Sequence, residues 1–483
     1  MSSLATLAKS QAGKRIFWFR QDLRLADNPG FYQAALNGAV IAIFILDESQ
    51  DDFKMGGASR IGLYHSLQSL QAKLANKLNI YQGRAQDIIL ALAEQHAIDA
   101  VYWSRCYEPW RVKQDLAIQT RLAERHIDCT IFNASLLWEP SAALKQDGSP
   151  YKVFTPFYKN ACLHAPQPRV PLSAPPELNL IKDATSTLTI DDLPLRPAHT
   201  WYSALEQHWV MGEEGAHQRL ADFVEHGLAN YKEGRNFPEK NNVSRLSSSL
   251  HFGELSPNQV WFKVREQSSE RAIPMQDIEH FLSELGWRDF SYYLLSHFPS
   301  LPRENFQKKF NNFPWQTDDL LLTAWKKGQT GYPIIDAGMR ELWQTGYMHN
   351  RVRMIVGSFL VKNLLLHWHQ GEDWFWDCLV DADLANNSAS WQWVAGSGAD
   401  AAPFFRIFNP VLQGAKFDHQ GLYTKRFVPE LINMPVSYLF RPWEAPAGIL
   451  QEAGVVLGKT YPQPIVDFRL SRLRALEAFR SCK

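Results

Sequence analysis

The chain has 483 residues, of which 45% are hydrophobic and 21% charged, and its formal net charge is +0. That length is too great for one ordinary core, so two domains are expected in a soluble globular protein. The neutral balance excludes a globally basic nucleic-acid binder, and any DNA site must be a local basic patch.

The opening residues, MSSLATLAKSQAGKR, lack an apolar core, so no secretory signal is expected. Arg15 to Phe19 reads as a strand. Asn28-Pro29 opens a short helix to Asn37, with proline in the first turn. Val40 to Leu46 is a continuous apolar run, as in a strand buried on both faces. Ala58 to Leu78 has helical periodicity, with Leu63, Leu67, Leu70 and Leu74 on one side. A strand at Asn79 to Gln82, a helix at Ala85 to His96, a strand at Ala100 to Trp103 and a helix at Pro109 to His126 follow. Cys129 to Phe132 closes the pattern. Alternation of this kind predicts an α/β domain over 1–133, built on a parallel doubly wound sheet. Its ligands bind beyond the carboxyl ends of the strands. No G-x-G-x-x-G follows the first strand, so a Rossmann dinucleotide site is not expected there. Glu108 and Trp110 lie beyond a later strand and offer a charge and a stacking face. Capping of the Pro109 helix accounts for Glu108 equally well.

From 134 to 200 the pattern dissolves into proline-rich runs such as APQPRVPLSAPPELNL, which predict a linker wrapped over the surface. An all-helical domain is expected over 201–483. Glu213 to Asn230 is amphipathic, with acidic residues in its first turn. Ser244, Ser247, Ser248 and Ser249 crowd a helix start, where free N–H groups and hydroxyls make an anion cradle; simple capping needs one serine, not four. Glu284, Trp287 and Arg288 stand at i, i+3 and i+4 on one helix face. Five cysteines at no metal-like spacing suggest a reducing compartment and neither a disulfide framework nor a metal site. No run approaches about 18 apolar residues, so no membrane span is expected.

The densest stretch is Gly331 to Pro410. Trp343, Trp368, Trp374, Trp376, Trp391 and Trp393 occur there with Arg351, Arg353, Asp381 and Asp383. An ordinary core uses few charges and few indoles, and buried charges must be paired. The composition points to a large planar ligand held by paired charges and flanked by indoles. The runs TGYPIIDAGMREL, GYMHNRVRM, DADLANN, WQWVAGSGADAAPFFRIFNP and QGAKFD, with RIFWFRQDLRLADNP upstream, resemble the photolyase/cryptochrome flavoproteins. RCYEPWRV and MGGASR are most similar to the class III cyclobutane-dimer photolyases.

The resemblance implies light-driven repair of cyclobutane pyrimidine dimers by electron transfer from photoexcited reduced FAD to a flipped-out dimer, with a cryptochrome photoreceptor as the alternative. A reading free of the resemblance is a nucleotide-binding oxidoreductase. The resemblance places FAD phosphates at Tyr231, Ser244, Arg245, Leu246 and Ser247. Val243 stands where relatives often carry a hydroxyl, and Phe281 where some carry tryptophan. Arg288 falls near FAD, Arg353 and Asp381 form a pair beside its ring system, Asp383 accepts from ring N–H groups, and Asn387 faces flavin N5. Asp or Cys at this last position marks cryptochrome-like behaviour. Trp391, Trp368 and Trp315 match an electron-transfer chain, with Trp374 or Trp376 as a further branch. Glu284, Trp287, Asn350, Met354 and Trp393 match the lesion cavity, Met354 standing where enzymes for 6-4 lesions place a histidine. Arg235 and Arg351 are expected to meet DNA phosphates, more so than Lys416 or the Lys326-Lys327 pair. An antenna, methenyltetrahydrofolate or a deazaflavin, is expected near Glu108 and Trp110. UV-damaged DNA is the expected partner of a cytoplasmic, nucleoid-associated monomer with no obligate protein partner.

Overall fold

The computed structural model describes residues 13–50, 52–271 and 273–482. Most of the opening run read for a secretory signal therefore lies outside the described residues. Five strands form one parallel sheet: β1 (Gly13–Phe19), β2 (Gly38–Leu46), β3 (Asn79–Gln82), β4 (Ala100–Ser104) and β5 (Asp128–Phe132), in the order β3-β2-β1-β4-β5. Between them run α1 (Pro29–Leu36), α2 (Gly57–Lys73), α3 (Ala85–Gln95) and α4 (Pro109–Ala123). Side chains alternate along each strand. Ile16 and Trp18 join the core beneath α3 and α4, whereas Phe17 and Phe19 join the core beneath α1 and α2. Asn28 caps α1 by accepting from the Phe31 N–H at 3.1 Å.

Several helices end before their apolar period does. The helix expected to reach Leu78 stops at Lys73, where Ala75 and Asn76 turn to φ 50° and 61°. That to His126 stops at Ala123, with His126 itself at φ 57°. The left-handed residues satisfy the last carbonyls and break the ladder.

The 134–200 segment is not simply laid over the surface, as its prolines suggested. Phe154, Phe157 and Cys162 are buried in the core of the helical part, and Leu180, Ile190, Leu193 and Leu195 in the core on one face of the sheet. The Val40 N–H donates to the Asn179 carbonyl at 2.8 Å and the Ile181 N–H donates to the Val40 carbonyl at 2.9 Å, tying this segment to β2. Proline forbids long helices there but not burial.

The remainder is helical. The helices that shape the site are α5 (Glu213–His226), α6 (Tyr231–Gly234), α7 (Ser247–Phe252), α8 (Pro257–Arg271), α9 (Met275–His297), α10 (Pro333–Thr345), α11 (Asn350–Ser358), α12 (Trp368–Cys378) and α13 (Leu384–Ala395). The helix expected to Asn230 ends at His226, and Asn230 turns to φ 63° before α6.

The two parts are joined by buried contacts. Arg24, fully buried, donates to the carbonyls of Asp27 (2.8 Å), Ala134 (2.7 Å) and Gly253 (2.8 Å). The Phe252 ring packs on α2 at Gly62, where a Cβ would come within 2.7 Å of that ring. Full burial of one such side chain stabilises by about 1.5–3 kcal/mol. No helix among the described residues is long and apolar enough to cross a membrane.

Candidate cofactor and nucleic-acid site

The chain from Val243 to Ser247, with α9, α11 and α13, encloses a cavity of about 550 Å³. This is ample for a large organic ligand. Ser244, Arg245, Leu246 and Ser247 form one wall. Arg245 holds φ 50°, an unusual conformation for a residue with a side chain. Ser248 and Ser249 do not join the cradle expected of them. Both are fully buried, and Ser249 Oγ accepts from Arg219 at 2.7 Å. As α7 turns, only the first of its serines faces the cavity.

On α9, Phe281, Glu284, Trp287 and Arg288 all line the cavity, as the helical spacing predicts. Trp287 stacks on Phe154 with ring centroids 3.7 Å apart and planes within 12°. One indole face is thereby backed and the residue held for a planar partner. Glu284 pairs with Arg235. Arg288 donates to the Ser135 carbonyl at 2.6 Å and lies over the Tyr292 ring.

The opposite side carries paired charges. Arg353 meets both carboxylate oxygens of Asp381, at 3.0 and 3.2 Å, and its Nε donates to the Met348 carbonyl at 2.7 Å. Burial works against the charged guanidinium, but Asp381 and Tyr347 outweigh it and hold it protonated. Asp383 caps α13, accepting from the Asn386 N–H at 2.8 Å, and also accepts the Tyr292 hydroxyl. Burial opposes its ionisation, yet His251, Arg288 and Tyr292 together pull its carboxyl down to about 2. The cavity is therefore lined by both a protonated Arg353 and an ionised Asp383. Asn387 donates from Nδ2 to the Glu372 carbonyl at 3.0 Å, which fixes its amide. The Glu372 carboxyl is pushed up to about 8 by burial, so it is largely neutral at physiological pH.

Trp391 and Trp393 also line the cavity. The Trp391 ring lies against the first turn of α12, where a Cβ on Gly371 would come within 2.1 Å of it. That turn begins with Trp368, fully buried, whose indole N–H donates to Asn305 at 3.0 Å. His367 then bridges Trp368 and Trp315, at ring distances of 5.7 and 5.1 Å. Trp374 stacks on Trp343 at 5.8 Å, and Trp376 donates to the Lys54 carbonyl.

A second, basic cavity of about 380 Å³ adjoins the first and shares Arg235, Glu284, Asn350 and Met354 with it. Arg351 lines it and bonds Asn236. Of the other lysines considered for DNA, Lys326 lies over the Trp374 ring at 4.8 Å and Lys416 over Phe417 at 5.2 Å. Glu108 and Trp110 line neither cavity. Trp110 stacks on Phe53 at 5.6 Å, and Glu108 accepts from Gln21 at 3.2 Å and from its neighbour's N–H. Sequence reasoning missed Tyr292, His251, Tyr347 and Phe154. Tyr292 stands four residues after Arg288 on α9, a spacing that could have revealed it. The others become visible only through tertiary contact.

His349 precedes α11 and caps it by accepting from the Arg351 N–H at Nδ1. Burial, then the charges of Arg235, Arg245, Arg351 and Arg353, push its imidazole down to about 3. The folded state thus favours neutral His349. Its contribution to stability is present above the ordinary histidine pKa and lost as pH falls through the interval below it. Acidification to pH 5 is expected to cost about 2 kcal/mol from this group. His349→Asn keeps a capping oxygen and removes the titration. Urea unfolding at pH 7.5 and 5 should show a smaller acid loss in the variant.

Fold and site together define a two-part protein, α/β and then helical, with a large charged cavity in its helical part. The "DNA photolyase" family description matches residues 15–177, and the "FAD binding domain of DNA photolyase" matches residues 281–481. The chain is 45% identical to the deoxyribodipyrimidine photo-lyase of Agrobacterium fabrum over 97% of its own length and 98% of that protein's. A solved bacterial class III photolyase from Agrobacterium tumefaciens superposes with a TM-score of 0.94 and 44% identity, covering 100% of this chain and 99% of that one. Cryptochrome-2 of Arabidopsis thaliana is 36% identical over 95% of this chain and 77% of its own length. The chain belongs to the DNA photolyase family. FAD suits the donor set present: hydroxyls and Arg245 on one wall, a salt bridge on another, and the buried His251 Nδ1 without a hydrogen-bond partner beside Asp383.

Proposed function

We propose that this chain is a light-driven deoxyribodipyrimidine photolyase that repairs cyclobutane pyrimidine dimers in UV-damaged DNA. One observation carries the reading. A single cavity has Arg353–Asp381, Asp383 and Asn387 on one side, and Glu284, Trp287, Met354 and Trp393 on another. Reduced FAD, when bound, supplies the photoexcited electron that splits the dimer. The chain's residues hold and position the reactants. Tyr231, Ser244, Arg245, Leu246 and Ser247 take the phosphates; Phe281 and Arg288 close the pocket. Arg353 with Asp381 provides the cation beside the ring, Asp383 accepts from ring N–H groups, and Asn387 faces N5. Trp287 and Trp393 sandwich the flipped dimer, Asn350 and Met354 line its hole, and Glu284 accepts from its base edges. Arg235 and Arg351 take backbone phosphates. Trp391, Trp368 and Trp315 carry electrons for activation.

An antenna near Glu108 and Trp110, methenyltetrahydrofolate rather than a deazaflavin, completes the reading, as does a cytoplasmic, nucleoid-associated monomer. The cryptochrome alternative shares the flavin and the indoles. Asn387 and a lesion cavity lined by Glu284, Trp287, Met354 and Trp393 favour repair.

Reduced protein illuminated with oligonucleotides bearing one lesion of each kind should restore the cyclobutane dimer and leave the 6-4 product. The 6-4 reaction requires proton transfer, and Met354 cannot donate a proton. Restoration of the 6-4 product would refute the lesion assignment. Repair of neither, with reduced FAD verified, would favour the photoreceptor.

A further inference from the structure

At the junction of the two cavities one guanidinium has two holders. Arg235 Nη1 reaches His280 Nε2 at 3.1 Å and also pairs with Glu284. His280 and Glu284 stand one turn apart on α9, so one helix face presents both acceptors. Burial and then the Arg235 charge depress His280, with Lys232 acting the same way and Glu284 and Asp277 opposing. The ring is therefore neutral and its Nε2 accepts. Across the small cavity Arg351 is destabilised as a cation, first by burial and then by Arg235, and its Nε is buried without a partner. Lys232 is a third cation on this cavity, against Glu284 and the exposed Glu233. The space between Arg235 and Arg351 is suited to a phosphate.

We propose that Arg235 exchanges Glu284 for a DNA phosphate when substrate enters, with His280 as the positioning residue that holds the guanidinium through the exchange. The inference rests on the photolyase reading above. It goes further in making the two recognitions conditional on each other. Glu284 is tied up until a phosphate takes its partner, and only then turns to the bases. Undamaged duplex keeps its bases stacked, does not bring a phosphate into the small cavity, and leaves the Arg235–Glu284 pair closed. His280 lines the small cavity and not the large one, its ring 6.0 Å from that of Tyr231 on the wall between them.

The test uses the FAD-loaded protein in darkness, with fluorescence anisotropy on two duplexes differing by one cyclobutane dimer, across a salt series. The slope of log affinity against log salt should be steeper for the dimer duplex by about 0.9, one phosphate contact. Arg235→Gln should erase that difference. His280→Gln keeps an acceptor oxygen and should preserve both slope and affinity. His280→Phe and His280→Ala should weaken dimer binding about three- to tenfold, the worth of one hydrogen bond, with undamaged binding and Tm unchanged. Equal slopes in the wild type, or a His280→Gln as weak as His280→Phe, would overturn the proposal. So would His280→Phe and His280→Ala variants that both bind like wild type. A wild type with no preference for the dimer would instead bring down the photolyase reading, and this inference with it.

Discussion

Trp391→Phe is expected to lower the photoreduction of oxidised FAD to below about one tenth of the wild-type rate, a barrier rise above about 1.4 kcal/mol. Trp391 lines the cavity, and its ring rests on the turn that begins with Trp368. Phenylalanine preserves an aromatic ring there but is much harder to oxidise than indole. Repair by chemically reduced protein should change far less, because that electron comes from the flavin and returns to it. Transient absorption in an external reductant measures the first quantity, and dimer loss under anaerobic light the second. Photoreduction at the wild-type rate would mean that electrons travel another way. Trp325, edge-on to Trp391 at 6.2 Å, is the first residue to examine in that case.

The second large effect separates holding from splitting. Trp287→Ala removes a stacking face and should weaken binding of dimer-containing DNA by roughly 1–3 kcal/mol. The Phe154 ring beneath it does not replace it, because that ring is buried and set back by one stacking distance. Glu284→Ala should behave differently. It removes an acceptor for the dimer's base edges, so the yield per absorbed photon falls. It also frees Arg235 for phosphate, so affinity falls little. Titration of binding in the dark, followed by quantum-yield measurement at saturating DNA, distinguishes the two. Equal losses of affinity in both variants would contradict the division of roles.

Most of the α/β part was legible because its signals are local. Strand runs such as VIAIFIL and the Asn28-Pro29 helix start carry their own periodicity and caps, and the observed elements agree within a few residues. Helix ends were less legible, since left-handed residues such as Ala75 and His126 carry no glycine to announce them. In the site, α9 was readable because Glu284, Trp287 and Arg288 share a face by spacing alone. The Arg353–Asp381 contact spans two helices, and only the resemblance paired those residues in advance. Burial of Phe154 could not be read from a proline-rich stretch, because the partner that covers it, Trp287, is far along the chain. The serine cluster was half legible: residue type suggested four hydroxyls, and the turn of α7 withdrew Ser248 and Ser249.

The buried Arg24 bears on the proposed antenna. Its guanidinium is clamped by three carbonyls drawn from 24–27, from the segment after β5 and from the end of α7. Those carbonyls belong to both sides of the joint between the sheet and the helices, so neither side can swing without breaking buried hydrogen bonds. Excitation passing from a pigment on the sheet side to one among the helices depends steeply on their separation and on the angle between their transition dipoles. A clamped joint holds both constant through thermal motion. For the antenna proposed above, Arg24 would thereby make the efficiency of that transfer a fixed property of the fold.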